Sequence, residues 1–265
     1  MANHSGGGQV SHSSDKLLAI IECIAENRVP IRLQELAEKS GVTQSTALRY
    51  LRTLQNANYV YQDETTLRYA LTWKLCALTE NLNSYLGLRN IASPFVNHLA
   101  NTLNVGACLV VERDLQCLYL DCIDHPRALY TPLQYIGKQA PLHATGSGKL
   151  LLSALTEAQV DEYITAKGLK PYTKYTITDP MKLTEELQTI RKRGFAYDDQ
   201  ECELGLRCVS FPIYTYSGSI YAAISVFGNA DEMTVPDFQE HIHAQLREAA
   251  ETISLRLGWD QTGHE

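Results

Sequence analysis

Residues 33–54 constrain this chain most tightly: two short amphipathic segments stand on either side of a single glycine. In the first, Leu33, Leu36 and Ala37 share one helical face. In the second, Ala47, Leu51 and Leu54 recur at helical spacing behind Thr43, whose hydroxyl suits a helix start. Gly41 lies between them, where a tight turn favours positive φ. Upstream, Leu17, Ile20, Ile21 and Ile24 predict a helix that begins near Ser14 and ends by Asn27–Pro30. Downstream, Tyr59–Tyr61 and Leu67–Leu71 have strand composition around the turn residues Asp63-Glu64-Thr65-Thr66. Helix, helix-turn-helix and hairpin, in that order, predict a winged helix-turn-helix.

The chemistry of the third helix suits double-stranded DNA. Ser45, Arg49 and Arg52 fall at i, i+4 and i+7, opposite the apolar face, with Gln44, Thr46 and Tyr50 beside them. Arginine pairs with phosphate or guanine edges, glutamine reads adenine, and hydroxyls at a helix start bond to phosphate. Arg68 on the wing is placed to reach the backbone or the minor groove. The plainer reading of this stripe is the solvated face of a small helical domain; the ordered motif favours DNA.

Charge distribution leaves that reading open. The net charge is −7, yet residues 1–72 hold seven basic and seven acidic side chains, so the acid excess lies beyond them. No run of about 18 apolar residues occurs, which excludes a spanning helix. Residues 1–13, with Gly6-Gly7-Gly8, lack the basic start and apolar run of an export signal and read as a flexible leader. The seven cysteines are odd in number and form no CxxC, which points to reduced thiols in a cytoplasmic protein.

Residues 73–103 read as helix, with a break at Gly87 and a restart at Ile91 that places Pro94 near its first turn. Beyond them, Val105–Glu112 and Cys117–Asp124 predict a hairpin around Arg113–Gln116. Helices follow at His143–Leu155 and Thr156–Lys167, and from Asp179-Pro180 to Gly194. Three more strands are expected, at Phe195–Asp198, Cys208–Tyr214 and Ile220–Phe227, before a last helix from Thr234-Val235-Pro236-Asp237. The pattern is α+β, with an antiparallel sheet and helices on a face.

Gly146-Ser147-Gly148-Lys149 superficially resembles a phosphate loop. The spacing fails, because its first glycine would fall at His143 and no Ser or Thr follows Lys149. Small residues at a helix start still expose backbone N–H groups suited to a carboxylate. The competing reading is a close-packed helix start. His241 and His243 are not at i, i+4, so no metal site is expected, and nothing calls for a cofactor. Cys208, His143 and Asp198 have the residue types of a cysteine hydrolase without its local signatures.

Five stretches together resemble the IclR-type transcriptional regulators: LQELAEKSGVTQSTALRYLRTL, RYALTWKL, PLHATGSGKLLLSAL, IRKRGFAYDDQECELGLRCVSFPIY and YAAISVFG. The resemblance runs from about Ser14 to Leu257. It implies a winged helix at 14–73, a linker helix at 74–90, a GAF-like effector-binding domain at 91–258 and a tail at 259–265. It further implies a regulator, more often a repressor, of a catabolic operon, acting as a homodimer or homotetramer on palindromic operator DNA. The implied effectors are small organic, sugar or aromatic acids. Carried over by position, Gly146 and Ser147 would hold the carboxylate through their N–H groups. Asp198, Cys208 and Ser225 would line the polar side, and Leu129 and Leu206 the apolar wall.

There are departures. Phe227 stands where some members carry a second serine, and Pro132 and Ala140 where some carry larger apolar residues, which argues against the smallest keto acids. Asn58 and Thr72 replace common glycines, and Arg32 is a poor helix cap. Two other functions are weighed against the regulator: the cysteine hydrolase, and an oligomeric DNA-binding scaffold whose pocket Phe227 has filled.

Overall fold

The computed structural model describes residues 12–27, 29–75, 85–124, 135–234 and 236–260. Contacts divide the chain into two compact units, Met1–Ser84 and Tyr85–Glu265.

The first unit contains α1 (His12–Glu26), α2 (Leu33–Lys39), α3 (Gln44–Asn56), β1 (Val60–Gln62) and β2 (Tyr69–Leu71). Ile20, Ile24, Leu36, Ala47, Leu51, Leu54 and Val60 form its core. Gly41 has φ +63° and Asn58 φ +60°, so both take the left-handed conformation their positions demand. Thr43 caps α3, its hydroxyl accepting the N–H of Thr46, whereas Arg32 makes no side-chain cap to α2. β1 and β2 pair antiparallel, and Ile31 adds a bridge to Tyr69 that pins the loop between α1 and α2 to the wing.

The second unit is built on one antiparallel sheet ordered β5-β4-β3-β8-β7-β6. Its strands are β3 (Gly106–Arg113), β4 (Gln116–Ile123), β5 (Gln139–Ala140), β6 (Ala196–Asp199), β7 (Leu206–Tyr214) and β8 (Ile220–Asn229). The helices are α4 (Tyr85–Leu103), α5 (Gly146–Ser153), α6 (Glu157–Lys167), α7 (Pro180–Arg193) and α8 (Pro236–Arg256). Helices cover both faces of the sheet, not one as expected. Ala222, Ile224 and Val226 face the core shared with α4 and α8, while Ala223 and Phe227 face the core shared with α5, α6 and α7. Six consecutive residues in each of β3, β7 and β8 are buried, the mark of a strand covered on both sides.

Gly87 does not break its helix; α4 runs unbroken from Tyr85, with Pro94 inside it on an exposed side. Leu88, Ala92, Val96, Leu99 and Leu103 form a buried stripe along it, and docking of that stripe outweighs a glycine penalty of about 1 kcal/mol. The remainder of the expected linker, residues 76–84, lies outside the described residues. The caps of α7 are as expected: Asp179 accepts from Met181 and Lys182, Pro180 opens the helix, and Gly194 closes it at φ +80°.

One register row deserves a mechanical test. Gly106 faces Phe227, and a Cβ at Gly106 would stand 2.3 Å from the Phe227 ring. The ring occupies the space a side chain at 106 would take. Gly106→Ala is therefore expected to lose about 1–3 kcal/mol in urea unfolding. In a Phe227→Ala background the same change should lose clearly less; equal losses would exclude the ring as the cause.

Candidate functional site

Two surfaces of the chain have the chemistry of recognition, one in each unit. On α3, Ala47, Tyr50, Leu51 and Leu54 are buried, and Gln44, Ser45, Arg49 and Arg52 are exposed. Thr46 is half-buried; its hydroxyl accepts from that of the Thr43 cap at 2.9 Å, and Thr43 also bonds Ser45 at 3.0 Å. Tyr50 departs from the expected reading face. Its ring lies in the core, and its hydroxyl meets Ser13 at 2.8 Å and accepts from Arg49 Nη2 at 3.3 Å. The Arg49 guanidinium lies over that ring, 4.9 Å from its centre. Tyr50 thus supports Arg49 from beneath. Arg68 Nη1 donates to the Pro30 carbonyl at 2.9 Å, which braces the wing against the preceding loop.

The second surface lies under the start of α5. Thr145 caps this helix, its hydroxyl accepting from Gly148 N–H at 3.1 Å and donating to the Pro141 carbonyl at 3.0 Å. The helix begins at Gly146, three residues after the expected His143. Gly146 and Ser147 are therefore its first two residues, whose N–H groups have no acceptor within the helix. Every residue of α5 is buried. Both glycines also have a packing reason. A Cβ at Gly148 would lie 2.3 Å from the Leu142 carbonyl oxygen, and one at Gly146 2.9 Å from Ser210 Oγ.

Beneath this helix start the sheet presents two lateral rows. Asp198, Cys208, Phe227 and Gly106 pair across β6, β7, β8 and β3. Two residues along, Ala196, Ser210, Ser225, Cys108 and Cys122 pair in the same way, reaching β4. The rows bring Asp198, Cys208, Ser225 and Phe227 together with Gly146 and Ser147 against one face of the sheet. Leu206 packs into the same core. Leu129 and Pro132 lie outside the described residues.

A hydroxyl cluster at this place was missed from sequence. Ser225 Oγ donates to Ser210 Oγ at 2.7 Å and lies 2.7 Å from Ser147 Oγ, and Cys208 Sγ is 3.5 Å from Ser210. All three serines are buried. Ser210 follows Cys208 by two residues in a strand, so alternation alone places it on the same face.

Burial governs the titrating groups here. It pushes the Asp198 carboxyl up to about 7, reinforced by the negative charge of Glu201 and opposed by the Glu201 N–H bond at 2.7 Å and by Lys149. It pushes the Cys208 thiol up to about 12, so a thiolate nucleophile is disfavoured. His143 is not placed to serve Cys208. Its Nε2 lies 3.0 Å from the Lys170 carbonyl, which can only accept, so Nε2 carries the proton. Its Nδ1 then accepts from the Tyr163 hydroxyl at 2.7 Å, and burial lowers its pKa. Both ring nitrogens are engaged, which removes the base that a cysteine hydrolase needs. Among the described residues no His, Cys, Asp and Glu cluster could hold a metal ion, and no helix is long and apolar enough to cross a membrane.

The chain is similar to proteins of one family along most of its length. The family described as "Bacterial transcriptional regulator IclR C-terminal" matches residues 81–255, and the "IclR helix-turn-helix domain" matches 13–64. The acetate operon repressor of Salmonella typhimurium is 32% identical over 253 residues, covering 95% of this chain and 91% of that protein. The crystal structure of the Thermotoga maritima IclR aligns at a TM-score of 0.62 with 29% identity, over 93% of this chain and 99% of the other. An IclR homologue from Microbacterium hydrocarbonoxydans, solved with 4-hydroxybenzoate, shares the fold at a TM-score of 0.60 and 22% identity, over 92% and 98% of the two chains.

The Asp198 carboxyl gives a signed pH test. Its unfolded value is the ordinary 3.8 and its folded value about 7. Between them the folded chain holds a proton that the unfolded chain lacks, so this group's contribution to stability declines as pH rises from 3.8 to about 7. Asp198→Asn is expected to flatten that part of a plot of urea midpoint against pH. An unchanged slope would place the proton on another group.

Proposed function

The chain belongs to the IclR family of DNA-binding transcriptional regulators, and from that premise we propose that it represses a catabolic operon and answers to a small organic acid. The relative at 32% identity is a repressor, which supports that sign. On α3, Gln44, Ser45, Arg49 and Arg52 meet operator bases and phosphates, and Thr46 holds the helix start against the Thr43 cap. Arg49 reaches the DNA already ordered by the Tyr50 ring, so it loses less side-chain freedom on binding. A homo-oligomer presents two such helices to a palindromic site.

The observation that carries the effector reading is the buried start of α5, set against Ser210, Ser225, Cys208 and Asp198. The carboxylate takes the N–H groups of Gly146 and Ser147. Asp198, Cys208 and Ser225 bond its polar substituents. Leu206 and Phe227 supply the apolar wall, with Leu129 from a segment outside the described residues. The Phe227 ring favours a flat or larger acid over the smallest keto acids, and a relative solved with 4-hydroxybenzoate accords with this. Regulation follows if the acid binds the DNA-free form more tightly than the DNA-bound form; a coupling of about 1–3 kcal/mol is typical.

The test is fluorescence anisotropy on the DNA upstream of the chain's own gene, at two salt concentrations, with pyruvate, gluconate and 4-hydroxybenzoate. One acid should weaken binding to that DNA and leave random DNA unaffected. Arg49→Ala should weaken operator binding by about 10-fold to 100-fold and random DNA less. Equal loss on both would reduce Arg49 to a phosphate contact. Operator binding that ignores every acid would favour the scaffold reading.

A further inference from the structure

Lys149 resembles a phosphate-loop lysine in sequence, yet its side chain is turned into the protein. It is 2% exposed. Its ammonium bonds Glu201 Oε1 and lies 3.8 Å from Glu186 Oε1, which in turn pairs with Arg193 at 2.9 Å. A buried ammonium is costly unless it is paired in this way.

Glu201 closes the turn that carries Asp198. Its N–H donates to Asp198 Oδ1 at 2.7 Å. Within the turn Gln200 has φ +61°, a strained conformation for a residue other than glycine. Outside contacts restrain it, since the Thr173 hydroxyl donates to the Gln200 carbonyl at 2.7 Å and that of Thr176 to the Glu201 carbonyl at 2.6 Å. Those bonds hold the backbone. Lys149 bonds the first oxygen of the Glu201 carboxylate, whose second oxygen is buried with no hydrogen-bond partner among the described residues.

The same turn meets the start of α5, since Asp198 N lies 3.4 Å from where a Gly146 Cβ would stand. Lys149 follows Gly146 by three residues, on the same side of the helix. One helix therefore offers the anion-binding N–H groups and, a turn later, the cation that fixes the neighbouring carboxyl.

We propose that Lys149 is a positioning residue for the effector site: its ion pair with Glu201 latches the Asp198–Glu201 turn to α5 and sets the Asp198 carboxyl relative to the Gly146 and Ser147 amides. The latch rests on the effector reading above for its purpose, and on geometry alone for its existence. It does not touch the ligand.

The experiment separates the two. Hydrogen–deuterium exchange is followed in the full chain without ligand, for wild type, K149M and K149M/E201Q. The double variant keeps the volume and removes both charges, so no charge of the pair is left buried alone and the chain folds. Peptides spanning 196–205 should exchange about tenfold faster in both variants, while those within β7 and β8 keep their wild-type rates. Wild-type exchange in the double variant would overturn the latch, because packing of the lysine stem would then suffice. Melting-shift titrations with pyruvate, gluconate and 4-hydroxybenzoate form the second arm. The acid that shifts the wild type should bind the double variant about tenfold more weakly, with operator affinity held within about twofold. A parallel loss of both affinities would mark Lys149 as merely structural and overturn the proposal. A wild type that answers none of the three acids would sink the effector reading and the role of Lys149 toward it, and the exchange contrast would then decide the latch alone.

Discussion

The second unit depends on the register of β6, β7, β8 and β3. Side chains alternate across a strand, so a slip of one residue in any pair would turn Cys208, Ser210, Ser225 or Phe227 to the opposite core. With the observed pairing, Asp198, Cys208, Phe227 and Gly106 line up in one row, and Ser210, Ser225 and Cys108 in the next. The sheet is apolar on both faces, and α4 and α8 seal one side while α5, α6 and α7 seal the other. In the second core Ser147, Ser210 and Ser225 meet where α5 begins. There the serine hydroxyls satisfy one another, which lets three of them be buried.

That patch combines tight packing with unspent hydrogen-bonding capacity. Gly146 and Gly148 are required because the helix start rests directly on Ser210 and on the Leu142 carbonyl. The same closeness sets Gly146 beside the row holding Asp198 and Cys208. The close packing of the glycine run is observed, and it leaves the proposed anion-binding role of its N–H groups compatible with it. Lys149 and Glu201 extend it, setting an ion pair behind the site at a depth where unpaired charge would be expelled.

The winged helix works by a different economy of contacts. Its reading helix commits one face to the core and keeps short polar and arginine side chains on the other. Tyr50, which looked available to a partner, is buried and carries Arg49, while Arg68 anchors the wing to Pro30. The Tyr50 ring and hydroxyl hold the exposed Arg49 guanidinium in place.

Local chemistry made much of this legible in the chain itself. The Gly41 turn, the Thr43 and Asp179 caps, the Gly194 stop and the alternation within each strand are properties of a few neighbouring residues. The family's motifs carried Gly146, Ser147, Asp198, Cys208 and Ser225 to one site. Long-range packing decided the rest. It kept α4 continuous through Gly87, because a docked apolar stripe outweighs one glycine. It drew Tyr50 inward, because a ring flanking the polar stripe of a helix also fills a gap in the core. It joined Ser210 to Ser147 across 63 residues, and Lys149 to Glu201 across 52, because register and helix docking, not sequence spacing, set those distances.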